Sequence, residues 1–162
     1  MKILLANPPT SHEHIPENPF LGLLYLASMA RTKHDVWITD FDALKYDWPS
    51  IETRLTQEDP DVLGLTCTTL TYENMIKICR LAKKTIPRAK IVIGGPHVTA
   101  KPEESFKESG ADFAVVGEGE IAFTEILENP ELPGGIMRGK RIENLDDIPF
   151  PSRDLLEPPV NY

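Results

Sequence analysis

The sequence predicts a three-layer α/β sandwich around a parallel sheet, and three observations carry that prediction. Short apolar runs alternate with segments of helical period from the N-terminus to about residue 128. The runs are continuously apolar, as expected for strands covered on both faces. Four of them open onto short polar loops: Asn7-Pro8-Pro9, Thr66-Cys67-Thr68-Thr69, Gly94-Gly95-Pro96-His97 and Gly117-Glu118-Gly119-Glu120. In one parallel sheet all four loops emerge at the carboxyl edge, where open α/β sheets bind ligands.

Ile3-Leu4-Leu5-Ala6 is the first strand. Phe20, Leu23, Leu24, Ala27 and Ala30 then recur at helical spacing, and Pro19 suits a first helical turn. Val36-Trp37-Ile38-Thr39 is a second strand, ending at Asp40, and residues 48–57 form a short helix with Trp48, Ile51 and Leu55 on one face. Asp59-Pro60 turns the chain into a third strand that ends at Thr66. Met75, Ile76, Cys79, Ala82 and Ile86 stripe the next helix, which Pro87 ends. Lys90-Ile91-Val92-Ile93 is the fourth strand. A helix begins near Pro102, with Glu103 and Glu104 complementing its dipole. Phe113-Ala114-Val115-Val116 is the fifth strand, and residues 120–128 form the last helix. Five strands in strict alternation with helices predict a flavodoxin-like (Rossmann-like) five-stranded parallel sheet in the order 2-1-3-4-5.

Composition changes near Asn129, and six of the fifteen prolines fall from Pro130 onward. The reading divides the chain into an α/β domain, residues 1–129, and a Pro-rich extension or linker, residues 130–162. Within the extension, residues 136–142 have the pattern of a small hairpin around Gly139.

A formal charge of −8 disfavours a nucleic-acid or anionic-membrane surface, since phosphate binding rests on Lys and Arg. No apolar stretch is long enough to span a bilayer, and Asn7-Pro8-Pro9 cuts short the one run that resembles a signal peptide. Cys67 and Cys79 lack metal-ligand or redox spacing and read as reduced thiols of a cytoplasmic protein, Cys79 on the apolar stripe of its helix.

Each loop has a ligand reading and a plainer one. Gly94 and Gly95 let a ligand approach the main chain, but a double glycine also serves a bare tight turn. Gly117 and Gly119 expose helix N–H groups, which Glu118 or Glu120 can also cap. Thr66, Thr68 and Thr69 offer hydroxyls to a polar ligand, while Thr69 or Thr71 suits an N-cap. His97 lies within reach of the crevice without neighbouring metal-ligand spacing, and His12 and His14 read as a solvated loop after the first strand. No nucleophile, catalytic triad or metal-ligand set is written locally. Several uses of the fold drop out: the first-strand loop lacks G-x-G-x-x-G, no P-loop is present, and Thr66-Cys67 stands where a receiver carries its phosphoacceptor Asp. Two prolines also replace the phosphate loop of a flavodoxin.

Taken in order, the motifs resemble the N-terminal cobalamin-binding domain of radical SAM enzymes, of the methyltransferase or anaerobic Mg-protoporphyrin cyclase-like kind. The matching elements are Asn7-Pro8-Pro9, Pro19-x-x-Gly22-Leu23-x-x-Leu26-Ala27, Pro60-Asp61-x-x-Gly64-Leu65-Thr66, Gly94-Gly95-Pro96-His97, Pro102-Glu103-Glu104 and Gly117-Glu118-Gly119-Glu120. The stretch from Asn144 to Pro151 is similar to the linker that precedes the radical SAM barrel.

The resemblance implies a corrinoid over the carboxyl edge. Asn7, Pro8, Pro9, Thr66, Thr68, Thr69, Gly94, Gly95 and His97 would surround its nucleotide tail, and Gly117, Glu118 and Gly119 would border the ring or its amides. The D-x-H-x-x-G cobalt-ligand motif of methionine synthases and mutases is missing after the first strand, as it is in many radical SAM relatives. The C-x-x-x-C-x-x-C motif is missing as well, so this chain is either a fragment of a longer enzyme, whose downstream radical SAM domain holds a 4Fe-4S cluster and S-adenosylmethionine, or a stand-alone domain; the linker-like ending favours the fragment. Two other classes stay open: an α/β interaction domain that has lost the cofactor, and a nucleotide or flavin binder using the same crevice.

Overall fold

The computed structural model describes residues 1–10 and 19–156. His12 and His14 lie outside the described residues. The elements run β1 (Lys2–Asn7), α1 (Leu21–Ala30), β2 (Asp35–Asp40), α2 (Trp48–Glu58), β3 (Val62–Thr66), α3 (Tyr72–Thr85), β4 (Lys90–Gly94), α4 (Pro96–Ala100), α5 (Pro102–Ser109), β5 (Phe113–Val116), α6 (Glu120–Glu128) and β6 (Gly135–Arg138). The strands form one sheet in the order β2-β1-β3-β4-β5-β6, every pair parallel.

The continuous apolar runs have the cause their composition implies. Alternate residues of the central strands β1, β3 and β4 enter opposite cores, so both faces are lined by apolar side chains. On one face Leu4, Leu63, Leu65, Ile91 and Ile93 meet α2 and α3 through Ile51, Leu55, Met75, Ile78 and Cys79. On the other, Ile3, Leu5, Val92 and Val115 meet α1 and α6 through Leu23, Leu24, Ala27, Phe123 and Ile126. Each fully buried Leu, Ile or Phe contributes about 1.5–3 kcal/mol of transfer free energy.

Four local expectations are corrected. Residues 136–142 form no hairpin: β6 lies parallel to β5, with Ala114 opposite Ile136 and Val116 opposite Arg138. It can approach because Gly139 has no side chain. A Cβ there would stand 1.6 Å from the Glu118 carbonyl oxygen, where the Gly139 N–H donates to Val116 O at 2.8 Å. The turn after the double glycine is a helix, α4, too short for its period to show. Pro19 falls just outside α1, whose N-cap is Phe20.

The fourth correction concerns caps. A 3₁₀ turn over Thr69–Thr71 precedes α3: Thr71 stands at the N-cap of α3 as expected but makes no side-chain cap bond to it, and Thr68 and Thr71 instead form a reciprocal capping box on the 3₁₀ turn. Neither Glu118 nor Glu120 caps α6. Its N-cap is Gly119, without a side-chain bond, and Glu120 lies in the first turn.

Residues after β6 return across α1. The Ser152 N–H donates to Leu24 O at 3.2 Å, Arg31 donates to Ser152 Oγ and pairs with Asp154 at 2.8 Å, and Leu156 bridges to Ile38 of β2. No helix of the described residues is long and apolar enough to cross a membrane.

Candidate functional site

A cleft of about 330 Å³ opens at the carboxyl edge, on the face that carries α1 and α6. Its floor follows from strand register. Leu5, Gly64 and Val92 lie side by side across β1, β3 and β4, and the Leu5 side chain packs into the space that Gly64 leaves. A Cβ on Gly64 would stand 2.6 Å from a Leu5 methyl and 3.7 Å from the Phe123 ring, so alanine there would drive Leu5 toward the cleft. Phe20, Gly22, Leu23 and Leu26 of the α1 region form one wall, and Val115 and Phe123 extend the opposite side. No heavy atom lies within 4 Å of where a Gly22 side chain would begin.

Of the twelve residues singled out in the sequence, six border this cleft: Thr66, Gly94, Gly95, Gly117, Glu118 and Gly119. They converge because the loops after β3, β4 and β5 are successive neighbours along the sheet edge. Gly95 adopts φ +100°, and a Cβ would come within 2.9 Å of Thr66 Oγ1 and the Cys67 backbone. The double-glycine turn therefore packs its main chain directly on the β3 loop, a close approach that glycine alone permits.

The other six lie elsewhere. Asn7 is buried, its amide donating to Asp40 Oδ1 at 2.8 Å while its Oδ1 has no partner among the described residues. Pro8 is buried beside it, and the Pro9 carbonyl accepts a 2.8 Å bond from Asn74. Asp42 accepts from both the N–H and hydroxyl of Thr10, so the ends of β1 and β2 are cross-linked. Thr68 belongs to the capping box. Thr69 and His97 turn toward α3: Thr69 Oγ1 lies 3.1 Å from His97 Nδ1, and the imidazole stacks on Tyr72 at 4.2 Å. His97 Nε2 is buried without a partner among the described residues.

Sequence reasoning missed most of the cleft itself. Phe20 and Leu23 read as ordinary helix core, and Gly22, Leu26 and Gly64 entered only as motif positions. A physical signal existed: glycine inside a strand or helix is unfavourable by roughly 0.5–1 kcal/mol, and its presence marks required space.

The chemistry of the lining is specific. Among the described residues no Lys or Arg borders the cleft, while Glu118 and Glu120 stand at its mouth. Such a site does not suit a polyphosphate, whose binding needs cationic neutralisation. It suits an apolar, planar group approached by main-chain atoms. Its volume is near the lower end of the roughly 300–1,000 Å³ typical of small-molecule sites, so a large ligand enters only in part. Cys67 and Cys79 offer no thiolate nearby, since burial pushes both up to about 12.

Comparison with known proteins agrees with this geometry. Residues 16–127 match the family model described as the B12 binding domain. The chain is 38% identical to an uncharacterised methyltransferase of Pyrococcus horikoshii, covering 96% of this chain and 39% of that protein. It is 35% identical to the cobalamin-dependent radical SAM methyltransferase TokK of Streptomyces tokunonensis, over 57% of this chain and 16% of that one. The chain thus spans well under half the length of these relatives.

The structure of the cobalamin-dependent S-adenosylmethionine radical enzyme OxsB superposes over 95% of this chain and 24% of that one, with a TM-score of 0.74 and 19% identity. The receiver domain of RcsB from Salmonella enterica serovar Typhimurium superposes at 0.56 with 13% identity over 85% of this chain and 93% of that one. These likenesses establish a shared α/β fold. With the family model matched over most of its length, and a cleft of fitting character at the expected sheet edge, this chain belongs to the B12-binding domain family.

Proposed function

We propose that this chain is the corrinoid cradle of a radical SAM enzyme, holding the cofactor at the carboxyl edge for methyl transfer or radical chemistry performed elsewhere in that enzyme. One observation carries the reading: the cleft is apolar, opens beside Gly22, and is bordered by no Lys or Arg among the described residues. Those properties fit the aromatic base of a corrinoid's nucleotide tail and disfavour nucleoside polyphosphates. When bound, the corrinoid supplies a cobalt centre for methyl or radical transfer.

The chain's own part is to bind and orient. Leu5, Leu23, Val92 and Phe123 exclude water from the base. Thr66 supplies a hydroxyl, and the Gly94-Gly95 and Gly117 to Gly119 loops let main chain approach the tail. Asn7, Pro8 and Pro9 hold the first-strand loop at the same edge, where the Asp40 and Asp42 bonds fix it. Thr68, Thr69 and His97 act through neighbouring loops. The 4Fe-4S cluster and S-adenosylmethionine belong, in this proposal, to a radical SAM domain of the complete enzyme.

The test is retention of aquacobalamin by the purified chain after gel filtration. The expected result is one corrinoid per chain with a shifted visible spectrum. A folded chain that elutes colourless overturns the reading, and retention of a flavin or nucleotide instead supports the alternative binder.

A further inference from the structure

The short helix α4 stands between the loops that wall the cleft, and two of its polar side chains are tied to those loops. On the β3 side, the His97 N–H donates to Cys67 O at 3.0 Å, His97 Nδ1 pairs with Thr69 Oγ1 at 3.1 Å, and the ring rests on Tyr72. On the β5 side, the Gly117 N–H donates to Thr99 Oγ1 at 3.0 Å. Pro96, which opens α4, lines the cleft together with Gly94 and Gly95 before it and Gly117 and Glu118 across from it.

One helical turn therefore links three loops that strand pairing alone leaves independent, because all of them lie past the last paired residues. The Thr99 and Gly117 residues are exposed. Their bond replaces one to water and adds little to folding, so its consequence is the spacing it imposes.

Resting on the corrinoid reading, we propose that α4 is a two-sided clamp. His97 and Thr99 are positioning residues that fix the width of the cleft and thereby make binding depend on the nucleotide tail. Neither residue touches the cofactor. His97 Nδ1 and Thr99 Oγ1 face opposite neighbouring loops, so loss of either leaves the other side of the clamp in place.

The experiment compares aquacobalamin with cobinamide, which keeps the corrin ring and lacks the base, ribose and phosphate. The full 162-residue chain is titrated as wild type, Thr99→Val, Thr99→Ser and His97→Ala. Thr99→Val and His97→Ala should weaken aquacobalamin binding by about 3- to 10-fold, the range expected for one hydrogen bond. Thr99→Ser should stay near wild type, and cobinamide affinity should not change in any variant.

Amide exchange of ligand-free protein supplies a readout independent of the cofactor. The Gly117 N–H should exchange faster in Thr99→Val and be restored in Thr99→Ser. Equal loss for both corrinoids, unchanged aquacobalamin affinity, or unchanged Gly117 exchange overturns the clamp. If the wild type binds neither corrinoid, the cofactor reading fails, and with it the tail dependence; Gly117 exchange then decides whether α4 couples the loops.

Discussion

Gly94 and Gly95 are adjacent in the sequence and have different physical duties. Gly95 sits at φ +100° with Thr66 and Cys67 atoms within 2.9 Å of its missing Cβ. Gly94 would meet only Val115 atoms, the nearest at 3.7 Å, an ordinary contact. Gly95→Ala should therefore cost about 1–3 kcal/mol of stability through backbone strain, with the clash adding to it. Gly94→Ala should stay within about 0.5 kcal/mol of wild type. Urea denaturation of the two variants checks this, and equal midpoints would refute the distinction. The double glycine was legible as a special turn, but which glycine is indispensable depends on a third segment, the β3 loop, brought against it by the sheet.

At the scale of elements, α2 has an N-cap that carries a pH signature. Asp47 is its N-cap, accepting from Ser50 N–H at 2.9 Å and from the Ser50 hydroxyl, and these bonds hold its carboxyl below the usual range. A depressed carboxylate pKa stabilises the fold above the unfolded value, near 3.9, and that contribution is lost as pH falls through the lowered folded value. Asp47→Ala should thus lower the urea midpoint at pH 7, with the gap to wild type closing below about pH 4. A gap that persists undiminished at pH 2–3 would show that Asp47 acts by other means.

β6 is the converse case, an element that sequence pattern did not reveal. The four residues of β6 give too little alternation to distinguish a parallel strand from a hairpin arm. Its place is set by β5, which offers an unpaired edge, and by Gly139 packing under Glu118. A chain ending at Asn129 would leave β5 as a bare apolar edge. It should unfold at lower urea than the full chain and aggregate more readily by light scattering. Equal behaviour would make β6 dispensable.

For the whole molecule, the cleft is lined by residues of the α1/α6 core, Leu5, Leu23, Val92 and Phe123, so a ligand bound there stabilises the native fold. Binding linkage predicts the size of the effect: at a hundredfold excess over Kd, a ligand specific for the native state adds about 2.7 kcal/mol. For a chain of this size that corresponds to a rise in Tm of roughly 5–11 °C, at about 2–4 °C per kcal/mol. Aquacobalamin should produce it and a nucleoside triphosphate should not, because Glu118 and Glu120 flank a mouth lined by no Lys or Arg among the described residues. A triphosphate shift as large as the corrinoid's would contradict the electrostatic argument.

The sequence by itself determined the layered fold, the strand order of its first five strands and the edge at which the polar loops meet. Those follow from local facts: unbroken apolar runs, helical stripes between them, and connection rules that leave few topologies open. Tertiary structure decided which loop residues share a cleft and which turn away. Thr66 and His97 read alike as polar loop residues. Strand register and the α4 turn put one at the cleft wall and stacked the other on Tyr72. The packing of Leu5 over Gly64 and the open space at Gly22 likewise exist only because β1, β3, β4 and α1 converge there, a relation between segments that no local pattern encodes.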